Sequence, residues 1–124
     1  MAKYEFDVNF PIYLQIMDEI KKDIFSEKIA IGDKISSVRD LALEFGVNPN
    51  TIQKALTELE REGLLTSVRA VGRFVSDNKE AITQAKKTLC NQNVKKYVEM
   101  MRALGCTKHE IIEFVQNYLE AEII

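Results

Sequence analysis

Four side chains with hydrogen-bonding ends recur along one short stretch: Asn50, Gln53, Lys54 and Thr57. Their spacing is i, i+3, i+4 and i+7, which places them on one face of a helix. The amide ends of Asn and Gln suit the N6/N7 edge of adenine, where one amide can both donate and accept. A lysine can reach guanine or a phosphate. Thr51 falls in the first turn, where a hydroxyl and free backbone N–H groups can hold a phosphate. No acid occurs from Gly46 to Thr57, and Glu58, Glu60 and Glu62 follow only at the far end. Base-edge hydrogen bonding without carboxylate repulsion is the chemistry this stretch offers.

A helix must present that face. Asn48 is a strong N-cap residue and Pro49 suits the first helical position, since its missing N–H would be unpaired there anyway. Ile52, Ala55, Leu56 and Leu59 form the opposite, apolar stripe, and Glu62-Gly63 ends the helix. Immediately before it, Ser37 opens another helix, with Asp40 three residues on in a capping-box arrangement. Val38, Leu41, Ala42 and Phe45 line that helix and Gly46 stops it. Two helices joined by a short Gly-containing turn are a helix-turn-helix signature. A preceding helix spans the 10–28 region, with Pro11 in its first turn and Ile12, Ile16, Ile20 and Ile24 on one side.

After Gly63 the period changes. Leu64–Val68 and Phe74–Ser76 are short and rich in strand formers, with Arg69-Ala70-Val71-Gly72-Arg73 between them. The pattern predicts a β-hairpin directly after the third helix, a wing that carries Arg69 and Arg73 and no acid. Beyond it, Asp77 is placed to cap a long helix through Leu104, whose stripe is Ile82, Ala85, Leu89, Val94, Val98 and Met101, with Tyr97 beside it. Gly105 closes it. Thr107 to Glu110 form a capping box for a last helix lined by Ile111, Ile112, Val115, Tyr118, Leu119 and Ile123. The short connection predicts an antiparallel helical hairpin. The expected fold is mainly α with a small β-wing: a winged helix-turn-helix over 1–76 and a two-helix tail over 77–124.

Bulk composition neither adds to nor removes this reading. The 124 residues carry a formal net charge of −2. Residues 1–76 hold 6 Lys and 4 Arg against 12 acids, and the tail holds 7 groups of each sign. Any nucleic-acid affinity must therefore come from local pattern. No apolar run is long enough to span a bilayer and the first residues lack a signal pattern, so a cytoplasmic protein without membrane association is expected. Cys90 and Cys106 are expected as reduced, partly buried thiols.

Catalytic motifs are missing from the sequence: it holds no phosphate loop, nucleophile elbow or paired-carboxylate arrangement. An enzyme is not expected, nor is a cofactor. Cys106 and His109 have half of a zinc spacing, but a full site would need Cys90 or a second subunit, and an exposed first-turn histidine is the plainer expectation. Met100, Met101, Tyr97, Phe114 and Tyr118 could line a small-molecule site, yet such residues at helical spacing are more often core. An effector is possible but not favoured.

The chain resembles the GntR family of bacterial regulators. The resemblance rests on Pro11-Ile12-Tyr13 with Gln15-Ile16, Gly32-Asp33, Ser37-Val38-Arg39-Asp40-Leu41-Ala42, Gly46-Val47-Asn48-Pro49-Asn50-Thr51, Leu59-Glu60-Arg61-Glu62-Gly63-Leu64, and Gly72 with Phe74-Val75. The short tail looks like the YtrA-type branch. The resemblance implies that Arg39, Asn48, Asn50, Thr51 and Gln53 face DNA and that the wing tip near Gly72 meets the minor groove. Together with the polar face and the basic wing, the DNA-facing set is Ser37, Arg39, Asn48, Asn50, Thr51, Gln53, Lys54, Arg69, Gly72 and Arg73. Ser36, Ala70 and Arg73 depart from the family pattern, where Pro, Gly and Thr are usual. Arg73 is placed to offer a compensating contact to DNA.

The resemblance also implies a homodimer on an inverted-repeat operator and, commonly, repression. Self-association is the natural way to bury the tail stripes, through Leu89, Val94, Tyr97, Val98, Met101, Ile111, Ile112, Val115, Tyr118 and Leu119. A tail folded back on a monomer is the alternative. The rival function is a winged helix that binds protein without specific DNA binding.

Overall fold

A computed structural model describes residues 4–122. Five helices and two strands follow one another: α1 (Ile12–Phe25), α2 (Val38–Phe45), α3 (Pro49–Arg61), β1 (Leu65–Val68), β2 (Gly72–Val75), α4 (Lys79–Ala103) and α5 (Lys108–Glu122). The chain divides into two compact units, Met1–Gln84 and Ala85–Ile124.

In the first unit, α3 is the central element. Ile52, Ala55, Leu56 and Leu59 are at most 1% exposed. They pack against α1 and α2 and meet β1 beyond the helix end. Burying one such aliphatic side chain fully contributes about 1.5–3 kcal/mol. The stripe on α1 is buried at Ile16, Ile20 and Ile24, with Met17 beside it, while Ile12 is half-buried. Leu41, Ala42 and Phe45 of α2 are buried, and Val38 only partly. Lys21 on α1 and Glu62 at the end of α3 form an ion pair at 2.9 Å.

Local chemistry sets the helix ends. Ser37 Oγ accepts the Asp40 backbone N–H at 3.1 Å, as the sequence predicts. At the other end of α2, Gly46 adopts φ 69°, ψ 40°, and Val47 N–H reaches back to the Ala42 carbonyl. That left-handed turn lets α3 begin three residues later, at Pro49, and a Cβ would strain it. At the end of α3, Gly63 N–H bonds the Glu60 carbonyl and Leu64 N–H bonds the Leu59 carbonyl. This pair of bonds satisfies two end carbonyls and turns the chain from helix into strand.

β1 and β2 are antiparallel, with Leu65 opposite Val75 and Val68 opposite Gly72. The connection is thus Arg69-Ala70-Val71, and Gly72 and Arg73, expected in the loop, belong to the second strand. A third segment joins on the other side of β2. Ile35 N–H bonds the Arg73 carbonyl at 2.9 Å, and Val75 N–H bonds the Asp33 carbonyl at 2.8 Å. This pairing, a single bridge between Lys34 and Phe74, has no strand pattern in the sequence to announce it. It buries Ile35. The segment before α1 is also tied down. Gln15 accepts from Asp7 N–H and donates to the Asp7 carbonyl at 2.8 Å, and the Tyr4 ring lies 4.4 Å from that of Phe45.

The start of α4 corrects one expectation. Asn78, not Asp77, caps the helix: its Oδ1 accepts the Ala81 N–H at 3.1 Å, and Ser76 Oγ in turn accepts the Asn78 N–H. In the second unit, Gly105 and Cys106 N–H groups close α4 onto the Arg102 and Met101 carbonyls. The capping box forms in both directions, Thr107 N–H to Glu110 Oε1 at 2.9 Å and Glu110 N–H to Thr107 Oγ1 at 3.2 Å. Helix α5 returns beside the last turns of α4, where Tyr97 Oη donates to the Ile111 carbonyl at 3.4 Å. Ile111 is buried, Ile123 lies outside the described residues, and Cys90 is exposed, not partly covered as expected. Among the described residues no helix is long and apolar enough to cross a membrane.

Ala70 takes φ 65° at the wing tip. A left-handed L-residue costs about 1–2 kcal/mol, partly offset on replacement by the greater unfolded-state freedom of glycine. Ala70→Gly should therefore stabilise the chain by about 0.5–1 kcal/mol in thermal or urea unfolding. A loss of stability would show that the tip is not held in this conformation.

Candidate nucleic-acid interface

The apolar stripe of α3 faces inward, so its opposite face has to face out. Asn50, Gln53, Lys54 and Thr57 are all exposed, as are Asn48 and Arg39, and Thr51 is half-covered. Among these, Lys54 is oriented by a neighbour: its Nζ lies 4.1 Å from the centroid of the Tyr13 ring. This cation–π contact holds the ammonium near the start of α1. Ile12, Tyr13, Asn50, Thr51 and Lys54 line one shallow cleft between the N-terminal ends of α1 and α3.

The first turn of α3 differs from the expected phosphate cradle. Pro49 has no N–H. The Asn50 N–H is taken by Asn48 Oδ1 at 2.7 Å, and the Thr51 N–H by the Asn48 carbonyl at 3.0 Å. These backbone donors are used internally, which leaves the Thr51 hydroxyl and the side chains of the exposed face as the groups offered outward. Asn48 and Ser37 both have their side-chain oxygens occupied as caps.

In the wing, Arg69 is exposed at the tip and Gly72 is half-buried. Gly72 has φ 140°, and a Cβ there would come within 2.9 Å of Lys34 Cε. The Lys34 stem thus runs over the glycine, bringing an exposed cation close to the wing tip that sequence reasoning missed. Arg73 behaves differently from its expected role. Its Nε donates to Glu60 Oε1, and its side chain is only 17% exposed. The same Glu60 oxygen accepts from Ser67 Oγ at 2.7 Å. The Ser67 hydroxyl, and next the Arg73 guanidinium, hold the Glu60 carboxyl below its ordinary value of 4.5, against the opposing effect of burial. Arg73 is therefore an internal partner of α3, not a free wing cation, and Glu60, given no role by the sequence, is a binding partner for both strands.

In the second unit the expected interface residues divide. Leu89, Tyr97, Val98 and Met101 are partly covered and Ile111 is buried, whereas Val94, Ile112, Val115, Tyr118 and Leu119 are exposed. Tyr97, Met101, Phe114, Val115, Tyr118 and Leu119 line one apolar groove between α4 and α5. His109 is exposed and lies 3.4 Å from Glu113 Oε2. Among the described residues, no three His, Cys, Asp or Glu side chains converge as metal ligands.

Three helices with a tight α2–α3 turn and a following two-stranded wing define a winged helix-turn-helix, a DNA-binding architecture. Comparison with known proteins makes this specific. The profile of "Bacterial regulatory proteins, gntR family" matches residues 12–75. The HTH-type transcriptional regulator YhcF of Bacillus subtilis (strain 168) is 36% identical over 116 residues, covering 94% of this chain and 96% of that protein. The HTH-type transcriptional repressor YtrA of the same organism is 34% identical over 108 residues, covering 86% and 83%. Among solved structures, a GntR family transcriptional regulator from Listeria monocytogenes superposes with a TM-score of 0.86 at 37% identity, covering 90% of this chain and 98% of that one. AraR(DBD) in complex with operator ORX1 superposes with a TM-score of 0.55 at 34% identity, covering 61% of this chain and 95% of that one. The chain belongs to the GntR family of bacterial transcription regulators.

Two stability measurements check the geometry. Asn48→Ala removes a cap and should cost about 1 kcal/mol in urea unfolding, whereas Asn50→Ala, with its side chain in solvent, should stay within about 0.5 kcal/mol. Equal costs would contradict the division of roles. Because the folded-state pKa of Glu60 is depressed, its contribution is present above the ordinary carboxylate pKa and lost as pH falls through the folded value. The stability gap between the wild type and Glu60→Ala should therefore narrow below about pH 4.5. A gap that is constant with pH would show that the carboxylate is not paired.

Proposed function

We propose that this chain is a cytoplasmic repressor that binds an inverted-repeat operator as a homodimer, with α3 in the major groove and the wing beside the minor groove. Residues 1–76 form the reader and 77–124 the dimerisation tail. The observation that carries this reading is the exposed polar face of α3, acid-free as far as Thr57, in an otherwise acidic chain. Asn50 and Gln53 are the base-reading groups, Lys54, Thr51 and Arg39 approach guanine or phosphate, and Arg69 enters from the wing tip. AraR(DBD), whose fold matches 61% of this chain, is seen in complex with operator DNA, and YtrA is named a repressor. Both support assigning the same kind of action here.

The dimer rests on the tail. Tyr118 is 68% exposed, Leu119 55% and Ile112 54% in a single chain. Contiguous apolar side chains of this kind call for a partner surface. A two-fold pair would set two recognition helices on half-sites about one DNA turn, ~34 Å, apart.

Selection of bound DNA from a random pool should enrich an inverted repeat with that spacing. Affinity for the selected site should fall steeply with salt, log K declining by about 0.9 per phosphate contacted for each decade. Gln53→Ala should weaken specific binding by about 1–3 kcal/mol and relax preference at one base pair per half-site. A salt-insensitive affinity would favour a protein-binding winged helix, and equal loss on random DNA would contradict a base-reading role for Gln53. Sedimentation at micromolar concentration that finds only the 14.2 kDa species would contradict the dimer.

A further inference from the structure

The sign of Glu60 is unusual for a residue beside a DNA-reading face. It lies on the recognition helix, seven residues beyond Gln53, and both wing strands send a donor to it: Ser67 Oγ from β1 at 2.7 Å and Arg73 Nε from β2. Backbone pairing joins β1 and β2 to each other but does not link the outer part of the hairpin to α3. Along the backbone, α3 is linked to the wing at its base, through Leu64 N–H on the Leu59 carbonyl. On its other edge β2 is tied to the 33–35 segment, through Ile35 N–H on the Arg73 carbonyl and Val75 N–H on the Asp33 carbonyl. The Glu60 carboxylate, which holds one side chain from each strand, adds a tie directly to α3, nearer the tip than Leu64, and so sets the hairpin against the recognition helix itself.

From this geometry we infer that Glu60 is a positioning residue that sets the angle of the wing relative to the recognition helix, with Arg73 and Ser67 as its grips. This rests on the DNA-reading role of α3 and extends it. Arg73 then acts through Glu60 and not on a phosphate. Among the described residues, the exposed cations left to the wing are Arg69 at the tip and Lys34, whose stem lies over Gly72. The arrangement explains how an acid is tolerated on this helix: its charge is answered within the protein and does not project at DNA.

The inference predicts an effect opposite in sign to simple electrostatics. Deleting an anion near DNA ordinarily tightens binding. Here Glu60→Ala should weaken binding to the selected operator about tenfold and lower the ratio of specific to random-sequence affinity, because a misdirected wing loses its register. Arg73→Ala should do the same, and the double variant should be no weaker than either single one, since both remove one interaction. The salt slope should be unchanged in Arg73→Ala but reduced by about one in Arg69→Ala. In the free protein, amide exchange at β2 should quicken in both Glu60→Ala and Arg73→Ala while that of α1 stays unchanged. Ser67→Ala, which removes one hydroxyl, is the milder variant if the others fold poorly, and should weaken specific binding about threefold.

Tighter binding by Glu60→Ala, or a lower salt slope in Arg73→Ala, would overturn the inference and return Arg73 to a phosphate contact. Unchanged β2 exchange would overturn it whatever the DNA results. If the wild type enriches no operator, the DNA reading fails by itself, and the exchange experiment still decides whether Glu60 holds the wing.

Discussion

The buried stripe of α3 is the constraint on which the rest of the first unit depends. Ile52, Ala55, Leu56 and Leu59 are almost wholly removed from water, so α3 cannot rotate about its axis without exposing at least one of them. A single rotational setting follows. With 3.6 residues per turn, burying that stripe obliges Asn50, Gln53, Lys54 and Thr57 to point outward together. The Gly46 turn and the Asn48 cap fix where the helix starts, and the Gly63 turn fixes where it passes into the wing. The outward face is thus a consequence of packing, and the functional residues need no separate scaffold.

Charge acts locally on this frame. The chain is acidic overall, but the two acids of α3 lie in its second half, a third is its C-cap, and all three are engaged. Glu58 pairs with Arg61 at 3.0 Å, Glu62 with Lys21, and Glu60 with Arg73 and Ser67. The half of the helix that carries the amide side chains is left free of carboxylates. Net charge is a poor guide for such a protein, because sequence-specific recognition depends on the field and donors within a few ångströms of the base edges.

Much of the fold was legible in the sequence because it is written in short-range signals. Asn48-Pro49, Ser37 and Thr107 with Glu110 act on groups within four residues, and each cap forms where it was expected. The α3 stripe is equally plain, since one periodicity describes both its pattern and its burial. Nearest-neighbour ambiguity explains the exchange of Asp77 for Asn78, as either side chain can cap and only the chain path decides. What stayed hidden was non-local. The Lys34–Phe74 bridge is one residue long and has no alternating pattern. Arg73 and Glu60 are 13 residues apart, and Arg73 reads as a free cation until the hairpin brings it to α3. The occupied amides of the first α3 turn were likewise invisible, because their use depends on the cap geometry and not on residue type. In the tail, the stripes were readable, but periodicity does not say which of their residues are covered within one chain.

The central claim is that the polar face of α3 reads base edges in the major groove. Replacing purines of the selected operator one at a time with 7-deazapurines removes the major-groove N7 acceptor and leaves the minor groove and the phosphates in place. Affinity measured across such a series should drop at a few positions in each half-site, in two clusters one DNA turn apart, and Gln53→Ala should become indifferent to one of them. Uniform affinity across the whole series would contradict major-groove reading by this helix.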